Sequence, residues 1–230
     1  AIGRMSCNPA IGGLGKGHLV KEIDAMGGVM GYAADNCGLQ YKTLNTSKGR
    51  AVWSLRAQID KKRYPDFICR LLKVNKKITL LQGEVVDFYV NKGRVKSVLL
   101  SGGDKIAAHG LIVCTGTFLN GLIHIGKESY SAGRFGEKPS RGLTEAIVKK
   151  GFKLARLKTG TPPRLLDKSI NWEKTTGTWG DENPVPFSIL TEQPFKPENH
   201  PSFIANTNQA VHDILADHLN ESAMYAGNIQ

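Results

Sequence analysis

Residues 84–117 constrain the fold more than any other stretch. Glu84 to Val90 alternates apolar and polar residues loosely and stops at Asn91-Lys92-Gly93. Val95 to Leu100 returns and stops at Ser101-Gly102-Gly103-Asp104. Runs of this length, rich in Val and Leu and bounded by Asn, Asp and Gly, read as strands of a β meander. Leu111 to Cys114 follows as a short apolar run that ends at Thr115-Gly116-Thr117. Such runs read as strands buried on both faces. A meander feeding a buried strand, with helical segments on either side, places the chain in the α/β class.

The segment HLVKEIDAMGG predicts a helix whose apolar residues Leu19, Val20, Ile23 and Met26 recur at helical spacing, ended by Gly27-Gly28. A second helix is expected from Ala51 to Leu72, with Arg56, Lys61, Lys62 and Arg63 on its polar side and Pro65 breaking or kinking it. Ile78 to Leu81 reads as a strand, and Thr144 to Lys150 as a helix closed by Gly151. From Thr159 onward prolines interrupt the chain, so Leu165 to Ser202 is expected to be mostly loop. Asn208 to Asn220 reads as a helix carrying Val211, Ile214, Leu215 and Leu219. The change of texture suggests two domains, 1–157 and 158–230. No internal repeat or low-complexity tract is present.

The chain has 230 residues, 40% of them hydrophobic, enough for one large core or two smaller ones. Its four cysteines form no CxxC pair, which argues against a zinc site or a disulfide scaffold and for reduced thiols. There is no secretory leader and no apolar run long enough to span a bilayer, so no membrane role and a cytoplasmic location are expected. Lys and Arg exceed Asp and Glu by 31 to 20, a formal net charge of +11. The excess concentrates between Arg141 and Lys168 and again between Lys61 and Lys77. Basic runs attract polyanions by releasing condensed counterions, although a solvated basic surface is the commoner meaning of such runs taken alone.

The Gly-rich opening segment, AIGRMSCNPAIGGLGKG, invites a nucleotide reading and fails two tests. A P-loop needs Gly-Lys-Ser/Thr, and Gly17 stands where the hydroxyl residue should be. A dinucleotide fingerprint needs GxGxxG directly after a strand, and Gly13 and Gly15 do not supply it. Gly12 and Gly13 can still bring backbone N–H groups close to a ring or phosphate. Asn8 offers an amide, and Pro9 fixes the local backbone. Cys7, near Lys16 and His18, is a candidate nucleophile, with a structural loop cysteine as the alternative.

The stretches MSCNPAIGGLGKGHLVKEIDAMGG, LNTSKG, RAQID, TGTFLNGLIHIG, AGRFGEKPS, RLKTGTPPR and MYAGNIQ, in this order, resemble one family from end to end. It is the GidA (MnmG) family of tRNA uridine 5-carboxymethylaminomethyl modification enzymes. The resemblance implies an FAD-binding, two-dinucleotide-binding-type (Rossmann-like) domain with a β meander, and part of an inserted α/β domain linked to NADH. It implies modification of the wobble uridine at carbon 5, with a one-carbon unit from methylenetetrahydrofolate, NADH as reductant and a tRNA-modification GTPase of the MnmE family as partner. It also implies a cytoplasmic homodimer.

Carried over by residue, Cys7 matches the first of two functional cysteines. Val85 and Ser140 match positions that contact FAD. Asn8, Pro9, Ala10, Ile11, Gly12 and Gly13 resemble the loop along the flavin, and Thr115, Gly116 and Thr117 the turn near the cofactor. Arg134 and Lys158 lie in similarly strong motifs without an assigned role. No metal ligand is implied. Arg50 and Trp53 depart from the residues usual in the family. The family's opening GxGxxG loop and its C-terminal region have no counterpart in these residues, so weak FAD binding and no full activity are expected of this stretch alone. A folate- and FAD-dependent tRNA uracil 5-methyltransferase is the nearest rival, and a non-enzymatic basic RNA-binding module is the rival of another class.

Overall fold

A computed structural model describes residues 2–227. In chain order the elements begin with β1 (Ala10–Gly12), α1 (Lys16–Ala25), α2 (Met30–Cys37), β2 (Gly38–Leu44), β3 (Ser54–Ile59) and α3 (Arg63–Val74). They continue with β4 (Val85–Asn91), β5 (Arg94–Leu100), β6 (Lys105–Ala107), β7 (Leu122–Ile125), β8 (Glu128–Ser131) and α4 (Leu143–Lys149). The last are β9 (Thr176–Thr178), β10 (Ser202–Ile204) and α5 (Gln209–Asp217). The chain is thus mixed α/β. It divides into two compact units, each built from two stretches: residues up to Leu80 with Gly160–Asn206, and Leu81–Thr159 with residues from Thr207 on.

The first unit is organised around β3, the middle strand of an antiparallel sheet ordered β1-β3-β2. Ile11 faces Ala57 across one side, and Tyr41 faces Ala57 across the other. Ala33, Ala34 and Ala57 are fully buried, and their small side chains let α2 approach the sheet closely. Phe187, from the proline-rich stretch, is the largest fully buried side chain and closes this core with Ile59, Val20 and Tyr64. Burying a side chain of that size contributes about 1.5–3 kcal/mol.

The proline-rich stretch has few hydrogen bonds of its own, and buried side chains of the helices and sheet hold it instead. Asp35 accepts from the backbone N–H groups of Phe187 at 2.9 Å and Ser188 at 2.8 Å, and from the Thr191 hydroxyl. Asp24 accepts from Ile189 N at 2.9 Å. Gln40 donates to the carbonyls of Thr178 and His200, each at 2.9 Å. Asp181 accepts from both the N–H and the hydroxyl of Thr43. A carboxylate that accepts two or three such bonds fixes a loop that has no ladder of its own.

The second unit contains the expected meander, ordered β4-β5-β6. Its first turn has positive φ at Lys92 (48°) and Gly93 (72°), a two-residue hairpin turn that matches strand twist. β7 and β8 form a separate hairpin. Phe88, Leu143 and Ala146 are buried where α4 packs on β4, with Val85, Val98 and Leu119 against them. Lys150, just past α4, donates to Asp87 at 2.9 Å and lies 4.4 Å from the centre of the Phe88 ring. Asn208 caps α5, its side chain accepting from Val211 N at 3.1 Å. That helix buries none of its residues.

Four expectations need correction. The single helix over Ala51–Leu72 is instead a short 3-10 turn, strand β3 and helix α3. Pairing with strands on both sides overrode the local helical pattern. Asp60 starts α3 by accepting from the N–H groups of Lys62 and Arg63, and Pro65 falls in the first turn, where its missing N–H costs nothing. Ile78–Leu81 forms no strand. Leu111–Cys114 is no strand either; Leu111 alone packs on the second unit's core, and Ile112 is 88% exposed. An apolar run becomes a strand only beside ladder partners, and neither segment pairs with a described strand. Helix α1 buries Gly17, Val20 and Asp24 and exposes Leu19, Ile23 and Met26. The polar anchor at Asp24 and the close approach of Gly17 to the Leu55 carbonyl chose the inner face.

Candidate functional site

The loop around Cys7 is built by the edge of the first unit's sheet. Pro9 and Asn8 lead into β1 through a tight turn, with Ala10 N donating to Asn8 O at 2.8 Å. Ile59 N donates to Pro9 O at 2.7 Å, so the start of β1 is tied to the end of β3. Ile11 points into the core. Gly12 and Gly13 both have positive φ, 95° and 89°. Their surroundings differ. A Cβ on Gly12 would lie 2.0 Å from the Leu55 carbonyl oxygen and 2.7 Å from Phe187, whereas one on Gly13 would meet nothing within 4 Å. Gly12 is therefore required by packing, and Gly13 presents bare backbone to open space.

Beyond Gly13, the backbone N–H groups of Leu14 and Gly15 have no acceptor among the described residues, and Gly15 caps α1. Glycines of positive φ beside free N–H groups at a helix start form a concavity suited to an anionic or electron-rich ring edge. The exposed Asn8 carboxamide has no protein partner among the described residues. Lys16 folds its ammonium back onto the Ala10 carbonyl at 3.2 Å, and desolvation there lowers its pKa.

Cys7 is half-buried. Its thiol donates to the Gly160 carbonyl at 2.6 Å, and its own carbonyl accepts from Arg164 Nη2 at 3.2 Å. Residues 160–164, the end of the RLKTGTPPR motif, are thus clamped onto the cysteine at two points within the first unit. Neither Gly160 nor Arg164 was singled out from the sequence. Their signal was the motif itself, which gave no hint that it would meet a residue some 150 positions earlier. Asp35 lies in the first unit against the Phe187–Thr191 stretch; burial raises its pKa, opposed by its hydrogen bonds to Thr191, Ser188 and Phe187.

The remaining expected residues belong to the second unit. Val85 opens β4, opposite Leu100, and packs on the Phe88–Leu143 core. Ser140 forms an isolated parallel bridge with Leu119, its N–H donating to Phe118 O at 2.8 Å and its carbonyl accepting from Asn120 N at 3.0 Å. Thr115–Thr117 form a turn closed by Phe118 N to Thr115 O, and the Thr117 hydroxyl donates to Gly133 O at 3.0 Å. Gly116 sits at φ 58° with open space beside it. Arg134 pairs with Glu137 at 2.7 Å and stacks over Phe118, and Lys158 points to the Met224 sulfur. The last residues of the MYAGNIQ motif, 228–230, lie outside the described residues.

No group of metal-ligating side chains occurs among the described residues, and no described helix is long and apolar enough to cross a membrane. A family profile described as Glucose inhibited division protein A matches residues 1–230.

The chain belongs to the GidA family.

This GidA-family chain is 47% identical over 229 residues to the tRNA uridine 5-carboxymethylaminomethyl modification enzyme MnmG of Thermodesulfovibrio yellowstonii, covering all of this chain and 36% of that protein. It is 46% identical to the enzyme of the same name from Geobacter sulfurreducens, again over 100% of this chain and 36% of the relative. The fold resembles Aquifex aeolicus GidA in two crystal forms. For form I the TM-score is 0.86 at 40% identity, over 100% of this chain and 39% of that one. For form II it is 0.86 at 41% identity, over 96% and 38%. The chain therefore spans little more than a third of the length of the GidA relatives it matches.

Proposed function

We propose that this chain carries the flavin loop and the nucleophilic cysteine of an enzyme that modifies carbon 5 of the wobble uridine in tRNA. The observation that supports this reading is a half-buried Cys7 before β1 and the open backbone of Gly13 after it, on a chain 47% identical to an MnmG. The free N–H groups after Gly13 suit an electron-rich group of FAD, and the stretch Asn8–Gly13 would lie along its flavin. Val85, Ser140 and Thr115–Thr117 are the further cofactor contacts of this reading, within a Rossmann-like FAD domain. NADH binding would fall to the stretch from about residue 158, of which Gly160–Asn206 packs into the first unit. FAD supplies redox chemistry when bound, with NADH as its reductant.

The chemistry of uridine explains the need for a thiol. Carbon 5 is a poor nucleophile. The Cys7 thiol gives its proton to solvent and its sulfur adds to carbon 6, pushing an electron pair to carbon 5, which attacks the methylene carbon of an iminium formed from methylenetetrahydrofolate and glycine or ammonia, with tetrahydrofolate released. Loss of the carbon 5 proton and expulsion of the thiolate restore the base. The Gly160 carbonyl holds the sulfur as an S–H donor at rest, so attack requires that contact to open. An MnmE-type GTPase partner, a homodimer and a cytoplasmic location complete the reading.

The test is nucleoside analysis of tRNA from reactions of the intact protein with its GTPase partner, NADH, methylenetetrahydrofolate and glycine or ammonia. A 5-carboxymethylaminomethyl or aminomethyl uridine at the wobble position, lost in Cys7→Ser, is expected. Plain 5-methyluridine would assign the chain to methyl transfer instead, and binding without modification or flavin would leave only an RNA-binding role.

A further inference from the structure

Helix α3 carries a charge pattern that the proposed chemistry does not use. From Lys61 to Lys77 there are seven Lys or Arg residues and a single acid, Asp66. The helix is strongly two-faced. Tyr64 is buried, and Phe67 and Ile68 pack against the first unit's core. Arg63, Asp66, Arg70 and Lys73 follow at intervals of three, four and three, so they share the opposite, exposed face.

The partners of these cations differ. Arg63 is engaged: it pairs with Glu198 at 2.6 Å and donates to the Asn36 carbonyl at 3.1 Å. Arg70 and Lys73 have no carboxylate partner and no hydrogen bond among the described residues. They line a cavity of about 590 Å³ between α2 and α3, walled also by Asn36, Cys37 and Phe67. Lys61, Lys62, Lys76 and Lys77 extend the same sign of charge beyond both ends of the helix. A surface helix stabilised by its own charges would pair them three or four residues apart. This one leaves two cations unpaired over a concave surface, with one acid to oppose them.

We infer that the exposed face of α3, centred on Arg70 and Lys73, is a second RNA contact that grips backbone phosphates. The partner follows from the chemistry. The unpaired Arg70 and Lys73 lie about 4.5 Å apart along the helix, and with Lys61, Lys62, Lys76 and Lys77 beyond its ends they match a polyanion of repeating charge better than a single small anion. Contacts to phosphate fix register without reading sequence, so this face would position a structured RNA while the base is handled elsewhere. The inference rests on the tRNA reading given above.

The experiment compares the intact protein with Arg70→Ala/Lys73→Ala, measuring affinity for an unmodified tRNA transcript across a salt series. An Arg94→Ala/Lys96→Ala variant, which removes the same charge from exposed positions near the start of β5, serves as the control. The expected result is weaker binding and a salt slope smaller by about 1.4 to 1.8 in the α3 variant alone, the value for two phosphate contacts. Equal slopes in all three proteins would overturn the inference while leaving the tRNA reading intact. Equal losses in both variants would also overturn it, because net charge rather than this face would then be responsible. A wild-type protein that binds no tRNA would remove both readings together.

Discussion

The Cys7 thiol donates to the carbonyl oxygen of Gly160 across 2.6 Å, and Arg164 closes the same junction by donating to the Cys7 carbonyl. A carbonyl can only accept, so the sulfur is held as a donor. The segment 160–164 therefore acts as a cover over the cysteine. Removing the Arg164 contact should open it. With a hydrogen bond worth about 1 kcal/mol, Arg164→Ala should expose the thiol about fivefold more often. The rate of Cys7 alkylation, followed by peptide mass in a background where the exposed Cys114 is Ser, reads this directly. An unchanged rate would show that the cover is held by other contacts.

Gly12 and Gly13 should separate packing from cofactor contact. Gly12→Ala drives a methyl into the Leu55 carbonyl and Phe187, and should destabilise the protein by about 3 kcal/mol. Gly13→Ala meets no atom and pays only for its positive φ, about 1–2 kcal/mol. If Gly13 borders the flavin, its variant should fold yet lose visible flavin absorbance. Denaturant midpoints and bound-flavin content of the intact variants decide the point, and full flavin in Gly13→Ala would remove that residue from the site.

Asp35 gives a pH signature of known sign. Burial raises its folded pKa, so the native state holds the proton more tightly than the unfolded chain. Its contribution to stability is then largest in acid and falls as pH rises through the window between the ordinary carboxylate value and the raised one. Asp35→Asn cannot titrate and loses one acceptor for Phe187, Ser188 or Thr191, a cost of about 1–3 kcal/mol. The margin of wild type over Asp35→Asn should shrink as pH rises. A constant margin in urea melts across that range would mean that Asp35 does not titrate in the folded state.

Asp87 should behave in the opposite way. Its hydrogen bond with Lys150, and then that with Phe88 N, lower its pKa, so its contribution is present above the ordinary carboxylate range and is lost as pH falls. Lys150→Met removes the ion pair while keeping bulk over Phe88. Because Asp87 is half exposed, the loss at neutral pH should be only about 0.5–1 kcal/mol. It should vanish in acid, where the wild-type pair is also broken. Thermal melts at two pH values suffice to check this.

Much of the fold could be read from local pattern. The meander was visible because Asn91-Lys92-Gly93 and Ser101-Gly102-Gly103-Asp104 enforce turns that few other residues allow. Helices α4 and α5 were visible because Gly151 and Asn208 mark their ends. The loop around Cys7 was visible as a motif, since a cysteine, an Asn-Pro pair and two glycines restrict backbone and chemistry together. Helix α2 and strand β2 carry no such local marker, and β3 lies in a stretch whose local pattern is helical. Leu111–Cys114 carried the pattern of a buried strand, but Ile112 to Cys114 lie exposed.

The sequence by itself determined what is local: the turns, the helix ends, the charge excess, and the family resemblance carried by its long motifs. Only the tertiary structure decided what depends on distant partners. It put Asp24 rather than Ile23 on the inner face of α1, where the N–H of Ile189 bonds one oxygen of the buried carboxylate. It made β3 a central strand, because β1 and β2 offered ladders on both sides. It brought Gly160 and Arg164 onto Cys7, because a segment without hydrogen bonds of its own takes its partners wherever the rest of the fold leaves them unpaired.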